Sequence, residues 1–258
     1  MISQAVNISV DGSEMDSYLA RPPSGSGPHP AVIVLQEVFG VNAEMRRVTD
    51  MLAAAGYVGL AINYYHRTHP NLDLAYEESS MATAMEARKS VTRASLYADL
   101  NAAIEWLKQQ DFVRDGKIAS WGFCMGGAVA FLSATLADIH GAICFYGGSI
   151  AKPFGSGEPG ALEEIDKISA PLLLCFGAED HGIPREDIDR IREALDARGV
   201  AYRLEVYPGV GHAFFRQGTP RAVAGQDQFS DEAIANAVAD SWNLVQAFLT
   251  DCFERVSS

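Results

Sequence analysis

The sequence is poor in positive charge. Its 20 lysines and arginines face 33 aspartates and glutamates, which gives a net charge of −13 at neutral pH. Because the phosphate backbone of nucleic acids and anionic lipid surfaces both select basic proteins, we expect neither as a partner. An anionic small molecule is still compatible with this chain, provided that arginines cluster locally against the unfavourable overall field.

Long apolar runs and paired cysteines are missing as well. No run approaches the roughly 18 apolar residues of a membrane-spanning helix, and the N-terminus alternates polar with apolar residues instead of forming a basic segment and an apolar core. The four cysteines include no C-x-x-C pair, which is typical of a reducing compartment. We therefore expect a cytoplasmic protein with no membrane association.

The order of strand-like and helix-like patterns predicts the fold class. Residues 6–10 and 16–20 flank an Asp-Gly turn and predict an antiparallel hairpin. The continuous apolar run 31–35 suits a strand buried on both faces, and helix and strand patterns alternate after it. We predict an α/β fold of one domain, residues 1–258, with a mostly parallel sheet, the N-terminal hairpin and helices on both faces.

Two segments interrupt this alternation. Residues 63–80 are polar and contain prolines and tyrosines, which predicts a long surface excursion. Residues 86–110 carry apolar side chains every three to four positions, which predicts at least one helix.

Residues 120–127, Ser-Trp-Gly-Phe-Cys-Met-Gly-Gly, predict a strand, a sharp turn and the start of a helix. A G-x-S-x-G elbow has this form, and its tight turn lifts a nucleophile above the sheet. The centre here is Cys124. Glycines suit the flanking positions because a nucleophile held at a strained dihedral leaves no room for neighbouring side chains. Cys124 is the candidate nucleophile, and a buried structural cysteine is the alternative.

A cysteine nucleophile needs a base, and the base needs an orienting acid. His212 follows the strand-like run that ends at Tyr207, and Asp180 follows the preceding strand-like run, with Glu179 as the fallback. Both fall at the carboxyl ends of strands, where active residues gather in parallel sheets. The chain order Cys124, Asp180, His212 is that of the nucleophile-elbow hydrolases.

The loop after the strand 31–35 supplies the remaining candidates. This architecture takes its second oxyanion amide from that loop, so the backbone N–H groups of Val38 and Met125 are the predicted oxyanion donors. Glu37 is unusual there, because a charged carboxylate would disfavour a nearby oxyanion. Two interpretations stay open: Glu37 turns away, or it interacts with the thiol.

His66 and His69 have the H-x-x-H spacing of metal ligands, but no third ligand accompanies them in a pattern. We expect no metal and no other cofactor.

Together these segments resemble the dienelactone hydrolase family of the α/β-hydrolase fold. Residues 36–40 resemble its Q-E-[IV]-F-G segment, residues 122–127 its G-[YF]-C-x-G-G elbow, and residues 211–214 its G-H-x-F segment, while Asp180 matches the acid. The resemblance implies a Cys-His-Asp triad. It also implies that Glu37 holds the resting thiol and helps to form the thiolate when substrate binds.

The family's substrates are small enol-lactones such as dienelactones, which are opened to maleylacetate, and arginines hold the substrate carboxylate. Arg216, four residues after His212, occupies one arginine position. The second position holds Met81, with Arg88 nearby as the candidate.

The prediction is thus a cysteine hydrolase that opens small, anionic enol-lactones through a thioester. Other small activated esters are the alternative substrates. A non-catalytic ligand-binding or thiol-sensing module, in which Glu37 permanently caps Cys124, is the alternative of another class. The sequence predicts no oligomeric state.

Overall fold

The computed structural model describes residues 1–217 and 227–254. The strands are β1 (Ile2–Val10), β2 (Ser13–Arg21), β3 (His29–Leu35), β4 (Val58–Ile62), β5 (Val113–Phe123), β6 (Ile139–Phe145), β7 (Leu172–Gly177) and β8 (Tyr202–Tyr207). The α-helices of the described residues are α1 (Ala43–Ala54), α2 (Met81–Lys89), α3 (Arg93–Lys108), α4 (Met125–Ser133), α5 (Arg185–Arg198) and α6 (Asp231–Glu254). The one-domain assignment over 1–258 stays a prediction, and residues 218–226 and 255–258 lie outside the described part.

The strands form one sheet in the order β1-β2-β4-β3-β5-β6-β7-β8. β1 and β2 form the antiparallel hairpin, in which Asp11 and Gly12 have the positive φ angles of 50° and 79° that a type I′ turn needs. β2 also pairs antiparallel with β4, and every later pairing is parallel. The predicted mostly parallel sheet with an N-terminal hairpin is confirmed.

The middle of the sheet is covered on both faces. Every residue of β4 and of β7 is buried, and successive strand residues point to opposite faces, so no face of these strands meets solvent. Trp121 of β5 is fully buried at the centre of an aromatic cluster. Its ring lies within 6 Å of the ring centroids of Phe123, Phe145, Phe215 and Trp242. Buried aromatic side chains therefore surround the end of β5, from which the chain enters the elbow.

The segment predicted as a surface excursion, residues 63–80, is buried at its start, so that part of the prediction is wrong. Tyr64, Tyr65 and His66 are each at most 3% exposed. The polar groups of the turn are satisfied internally, since the Asn63 side chain donates to the Asp16 carboxylate and accepts from the Tyr65 amide. Polar residues can be buried when they are hydrogen-bonded within the protein, and composition alone does not show whether such bonds form.

Residues 86–110, predicted to contain at least one helix, hold the end of α2 and the whole of α3. α3 begins after Thr92, whose side chain accepts from the Ser95 amide in a capping box. Across residues 1–217 and 227–254, none of the helices has the length and apolarity that a bilayer crossing requires.

At the elbow between β5 and α4, backbone atoms of different segments lie in close contact. A Cβ placed on Gly122 would lie 1.8 Å from the Gly126 carbonyl oxygen, and one on Gly126 would lie 2.1 Å from the Leu35 oxygen. Cys124 between them has φ 53° and ψ −116°, a conformation that side chains rarely adopt. The glycines are therefore required by contact, and the elbow is pressed against the end of β3.

Gly122→Ala is expected to unfold the protein at lower urea concentration. Overpacking typically costs about 1–3 kcal/mol, and a clash with backbone cannot be relieved by a rotamer change. Gly148→Ala is the control, because its Cβ would lie 3.5 Å from Ile183 Cγ1, an ordinary contact. Equal urea midpoints for the two variants would contradict the packing account of the elbow.

Candidate active site

Loops at the carboxyl ends of β5, β7 and β8 bring the three predicted triad residues together. The His212 ring nitrogen Nδ1 lies 2.7 Å from Asp180 Oδ2, so the proton in this contact is on Nδ1. Cys124 and His212 line the same cavity, and the two side chains interact directly. This is the geometry that a nucleophile, a base and an orienting acid require.

The local turn after β7 holds the Asp180 carboxylate in place. Asp180 is 4% exposed, and its Oδ1 accepts hydrogen bonds from the amides of Gly182 at 2.8 Å and Ile183 at 3.2 Å. The fallback residue Glu179 instead accepts from the Gly209 amide at the surface. The carboxylate that contacts His212 therefore belongs to Asp180.

The electrostatic surroundings favour a charged His212. Burial lowers the pKa of His212, but the Cys124 sulfur and the Asp180 carboxylate raise it, and the resulting pKa lies well above the usual value for histidine. A protonated imidazole beside a cysteine stabilises the thiolate, which is the reactive form.

Strained backbone conformations are concentrated around Cys124 and His212. Among the described non-glycine residues, six have positive φ, and three of these are aspartates or asparagines, which tolerate that conformation in turns. The other three are Cys124, Tyr146 and Ala213, with φ of 53°, 41° and 59°. Ala213 follows His212 directly, and the Tyr146 ring lies 5.2 Å from the His212 ring. Strain held by the surrounding fold is common at functional sites.

The predicted oxyanion donors, Val38 and Met125, both line the cavity with Cys124. Two buried tyrosines hold their segments: the Tyr64 hydroxyl donates to the Gln36 carbonyl, and the Tyr65 hydroxyl lies 3.7 Å from Met125 Sδ. Neither tyrosine is among the site residues predicted from the sequence. Their position directly after β4, at the carboxyl edge of the sheet, was the available signal.

Glu37 is paired with Arg216. Arg216 Nη2 donates to Glu37 Oε2 at 2.7 Å, and the guanidinium stacks 3.7 Å from the centroid of the Tyr76 ring. Both charged side chains are less than 10% exposed. The other carboxylate oxygen, Glu37 Oε1, is buried with no hydrogen-bond partner among the described residues, so the hydrogen bond to the resting thiol that the resemblance implies is not formed.

The cavity has a volume of about 420 Å³ and contains both predicted substrate-binding arginines, Arg216 and Arg88. Arg88 Nη2 donates to the Ser149 hydroxyl at 3.4 Å. Ser149 is not among the site residues predicted from the sequence, although it lies in the segment just after β6, where a parallel sheet places active residues.

His66 belongs to a separate buried cluster. Its Nδ1 lies 3.0 Å from the Ser13 hydroxyl and its Nε2 lies 3.0 Å from Asp99 Oδ1, while His69 contacts Thr68. Burial raises the pKa of Asp99 against the opposing effects of His66 and Arg67. No group of three potential metal ligands is assembled within residues 1–217 and 227–254.

The sheet order, the elbow and the positions of the strand-end residues define an α/β-hydrolase fold. A crystal structure from Klebsiella pneumoniae, provisionally named a dienelactone hydrolase, superimposes with a TM-score of 0.82 at 27% identity and covers 96% of this chain and 98% of its own. The chain belongs to the dienelactone hydrolase family, whose model matches residues 15–253.

Curated relatives agree with this assignment. A Synechocystis protein provisionally named carboxymethylenebutenolidase is 33% identical over 95% of this chain and 96% of its own length. The carboxymethylenebutenolidase of Pseudomonas putida is 28% identical over 90% of this chain and 94% of its own. The protein is thus a carboxylic ester hydrolase.

Asp180→Asn is expected to lower kcat by up to roughly 10⁴-fold, since the amide no longer selects the tautomer with a proton on Nδ1. Removing the carboxylate also lowers the pKa of His212. The imidazolium is then lost at lower pH, and the alkaline limb of kcat/KM moves towards neutrality.

The pH dependence of kcat and of kcat/KM for wild type, Asp180→Asn and the control Glu179→Gln measures both effects. An alkaline limb in Asp180→Asn that coincides with that of Glu179→Gln would exclude the assigned contact.

Proposed function

We propose that the protein hydrolyses small enol-lactones of the dienelactone type through a Cys124, His212 and Asp180 triad. The observation that carries this proposal is the 2.7 Å contact between His212 and Asp180 at the wall of the cavity that Cys124 also lines. Family membership supports the same reaction class.

The first half-reaction transfers the acyl group to sulfur. The Cys124 thiolate attacks the lactone carbonyl carbon, a C–S bond forms, and the negative oxygen accepts hydrogen bonds from the Val38 and Met125 amides. Collapse of this intermediate breaks the ring C–O bond, and the released enolate takes the proton of the His212 imidazolium. A conjugated enolate leaves far more easily than an alkoxide, so thiolate attack proceeds forward to the thioester.

The second half-reaction uses water. Neutral His212 accepts a proton from water as the water oxygen attacks the thioester carbonyl. The C–S bond then breaks, the product leaves as a carboxylic acid that ionises, and the thiolate is restored beside the imidazolium. Once the thiolate has formed, every proton of the two half-reactions moves between His212, water and substrate, so these steps need no cofactor.

The pair of Glu37 and Arg216 supports a gated form of this mechanism. A substrate carboxylate that binds Arg216 competes with Glu37 for the guanidinium. The freed carboxylate, buried without its arginine, becomes a stronger proton acceptor and can remove the thiol proton of Cys124. In this mechanism the Cys124 thiolate forms fully only when an anionic substrate is bound.

Two further observations bear on substrate and setting. Arg88 and Arg216 both line the cavity, which favours an anionic substrate. The exposed methionines Met81 and Met85 also line it, and they favour other small activated esters as a second candidate class. Cys124, Cys144 and Cys175 carry free thiols, which supports a cytoplasmic setting because thiols remain reduced there.

Cys124→Ala is expected to lower hydrolysis of trans-dienelactone and p-nitrophenyl acetate by more than about 1,000-fold, because the acyl acceptor is removed. Mass spectrometry of wild type during turnover should detect the acyl group on the peptide that contains Cys124. Cys144→Ala is the control for loss of a thiol elsewhere.

Activity that survives in Cys124→Ala would exclude the thioester mechanism. Wild type that binds these compounds but hydrolyses none of them would favour the non-catalytic ligand-binding module.

Glu37→Gln is expected to lower kcat for the anionic dienelactone by about 100-fold, the usual contribution of a general base, and to leave kcat for neutral p-nitrophenyl acetate nearly unchanged. The difference arises because a neutral substrate does not compete for Arg216. Steady-state kinetics on both substrates measures it, with Glu44→Gln as the control for another buried, arginine-paired glutamate. Equal losses on both substrates would contradict the gate.

A further inference from the structure

A second hydrogen-bonded series of side chains lies outside the cavity of Cys124, and the proposed reaction does not use it. The Ser13 hydroxyl lies 3.0 Å from His66 Nδ1, and His66 Nε2 lies 3.0 Å from Asp99 Oδ1. Arg67 Nη1 lies 2.8 Å from the same carboxylate oxygen. These four residues, Ser13, His66, Arg67 and Asp99, form the anchor cluster.

The anchor cluster is expensive to bury. The side chains of His66 and Asp99 are 0% exposed, and the second carboxylate oxygen, Asp99 Oδ2, is buried with no hydrogen-bond partner among the described residues. Well-packed apolar side chains of similar volume are often at least as stabilising as a buried ion pair. Packing of the core therefore gives no reason for these charges, and they point to a positioning role.

The anchor cluster is fixed to two rigid elements. Ser13 begins β2, and Arg67 Nη2 also donates to Asp11 Oδ2 at 3.2 Å in the turn that joins β1 to β2. Asp99 lies within α3, whose N-terminus has the capping box. The turn after β4 is therefore held between the hairpin and a helix.

His66 belongs to a tight turn that also contains Tyr64 and Tyr65. The His66 amide donates to the Asn63 carbonyl, and the Asn63 side chain accepts from the Tyr65 amide. The two tyrosine rings pack edge to face, with their centroids 5.1 Å apart. Because these residues are hydrogen-bonded and packed as one unit, a displacement of His66 displaces both tyrosines.

The two tyrosines reach the two segments that contain the predicted oxyanion donors. The Tyr64 hydroxyl donates to the Gln36 carbonyl, two residues before Val38. The Tyr65 hydroxyl lies 3.7 Å from Sδ of Met125, the residue that provides the other amide. Such donors act over a narrow range of distances, so small shifts of either segment weaken their hydrogen bonds to the oxyanion.

We propose that the anchor cluster holds Tyr64 and Tyr65 in the positions that align the two predicted oxyanion amides. The inference rests on the proposed function, which assigns the oxyanion to those amides. His66 and Asp99 are then positioning residues that touch no substrate. Their effect falls on the transition state, because the oxyanion exists only after the nucleophile has attacked.

Asp99→Ala is expected to lower kcat on p-nitrophenyl acetate by about tenfold or more and to change KM less than about threefold, since both half-reactions pass through an oxyanion. Asp99→Asn should restore kcat to within about threefold of wild type, because the amide oxygen still accepts from His66 and Arg67. Steady-state kinetics is measured at a temperature at which circular dichroism shows every variant folded.

Glu164→Ala is the matched control, because it removes another buried carboxylate that pairs with an arginine. It should leave kcat unchanged. An unchanged kcat in Asp99→Ala, or an equal loss in Glu164→Ala, would overturn the inference. If Asp99→Ala does not fold, His66→Asn replaces it with the same expectation, since the shorter amide retains the side near Ser13 and loses the contact with Asp99.

The route through the tyrosines is tested by combining variants. In a background of Tyr64→Phe with Tyr65→Phe, Asp99→Ala should lower kcat by less than about threefold, because the hydroxyls through which it acts are already gone. A full loss in that background would show that Asp99 acts by another route and would contradict the proposed one.

Benzyl trifluoromethyl ketone separates failure of the inference from failure of the proposed reaction. The Cys124 thiolate adds to its carbonyl carbon, a C–S bond forms, and the carbonyl electron pair moves to the oxygen, which the two amides bind. Calorimetry should show wild type binding this ketone at least about tenfold more tightly than the corresponding alcohol, which forms no adduct. Asp99→Ala should remove most of this preference.

If the preference behaves in this way while wild type hydrolyses no ester, the proposed function falls and the inference stands. If hydrolysis is normal and Asp99→Ala retains the full preference, the inference is wrong. A wild type that binds the ketone no more tightly than the alcohol would also overturn it, since no oxyanion site would be present to position.

Discussion

The geometry of the site depends on one contact between two stretches of backbone, the elbow after β5 and the end of β3. Gly126 lies so close to the Leu35 carbonyl oxygen that no side chain fits between them. This close contact places the start of α4 beside the loop that contains Val38. A single packing constraint therefore positions the thiol and both candidate oxyanion amides. Parallel pairing of β7 and β8 then brings the acid and the histidine to the same edge.

Much of this arrangement follows from local sequence patterns. Apolar runs mark buried strands, and the residues directly after them must lie at one edge of a parallel sheet, which is why Cys124, Asp180 and His212 were predictable as a group. The glycines around Cys124 were equally informative, because only a turn without Cβ atoms can approach a neighbouring strand so closely. The hairpin was predictable from its Asp-Gly turn. These features depend on backbone geometry, which nearby residues determine.

The parts that were not predictable depend on side chains distant in the sequence. Glu37 pairs with Arg216, 179 positions later, and nothing local to either residue shows whether the carboxylate faces the arginine or the thiol. Tyr64 was predicted at the surface because its neighbours in the sequence are polar, but it is buried and its hydroxyl donates to the Gln36 carbonyl. Arg88 was a candidate substrate-binding residue only because it lies near Met81, the position of the second arginine, in the sequence. Its exposure to the cavity depends on how α2 packs, which periodicity does not specify.

The strained conformation of Cys124 has a consequence for how such a protein changes over generations. A non-glycine residue in a sparsely populated φ region costs about 1–3 kcal/mol, a large fraction of the net stability of an ordinary domain. Glycine at this position would relieve that cost but abolish the thiol. A lineage in which selection for catalysis relaxed would therefore gain stability by losing its cysteine.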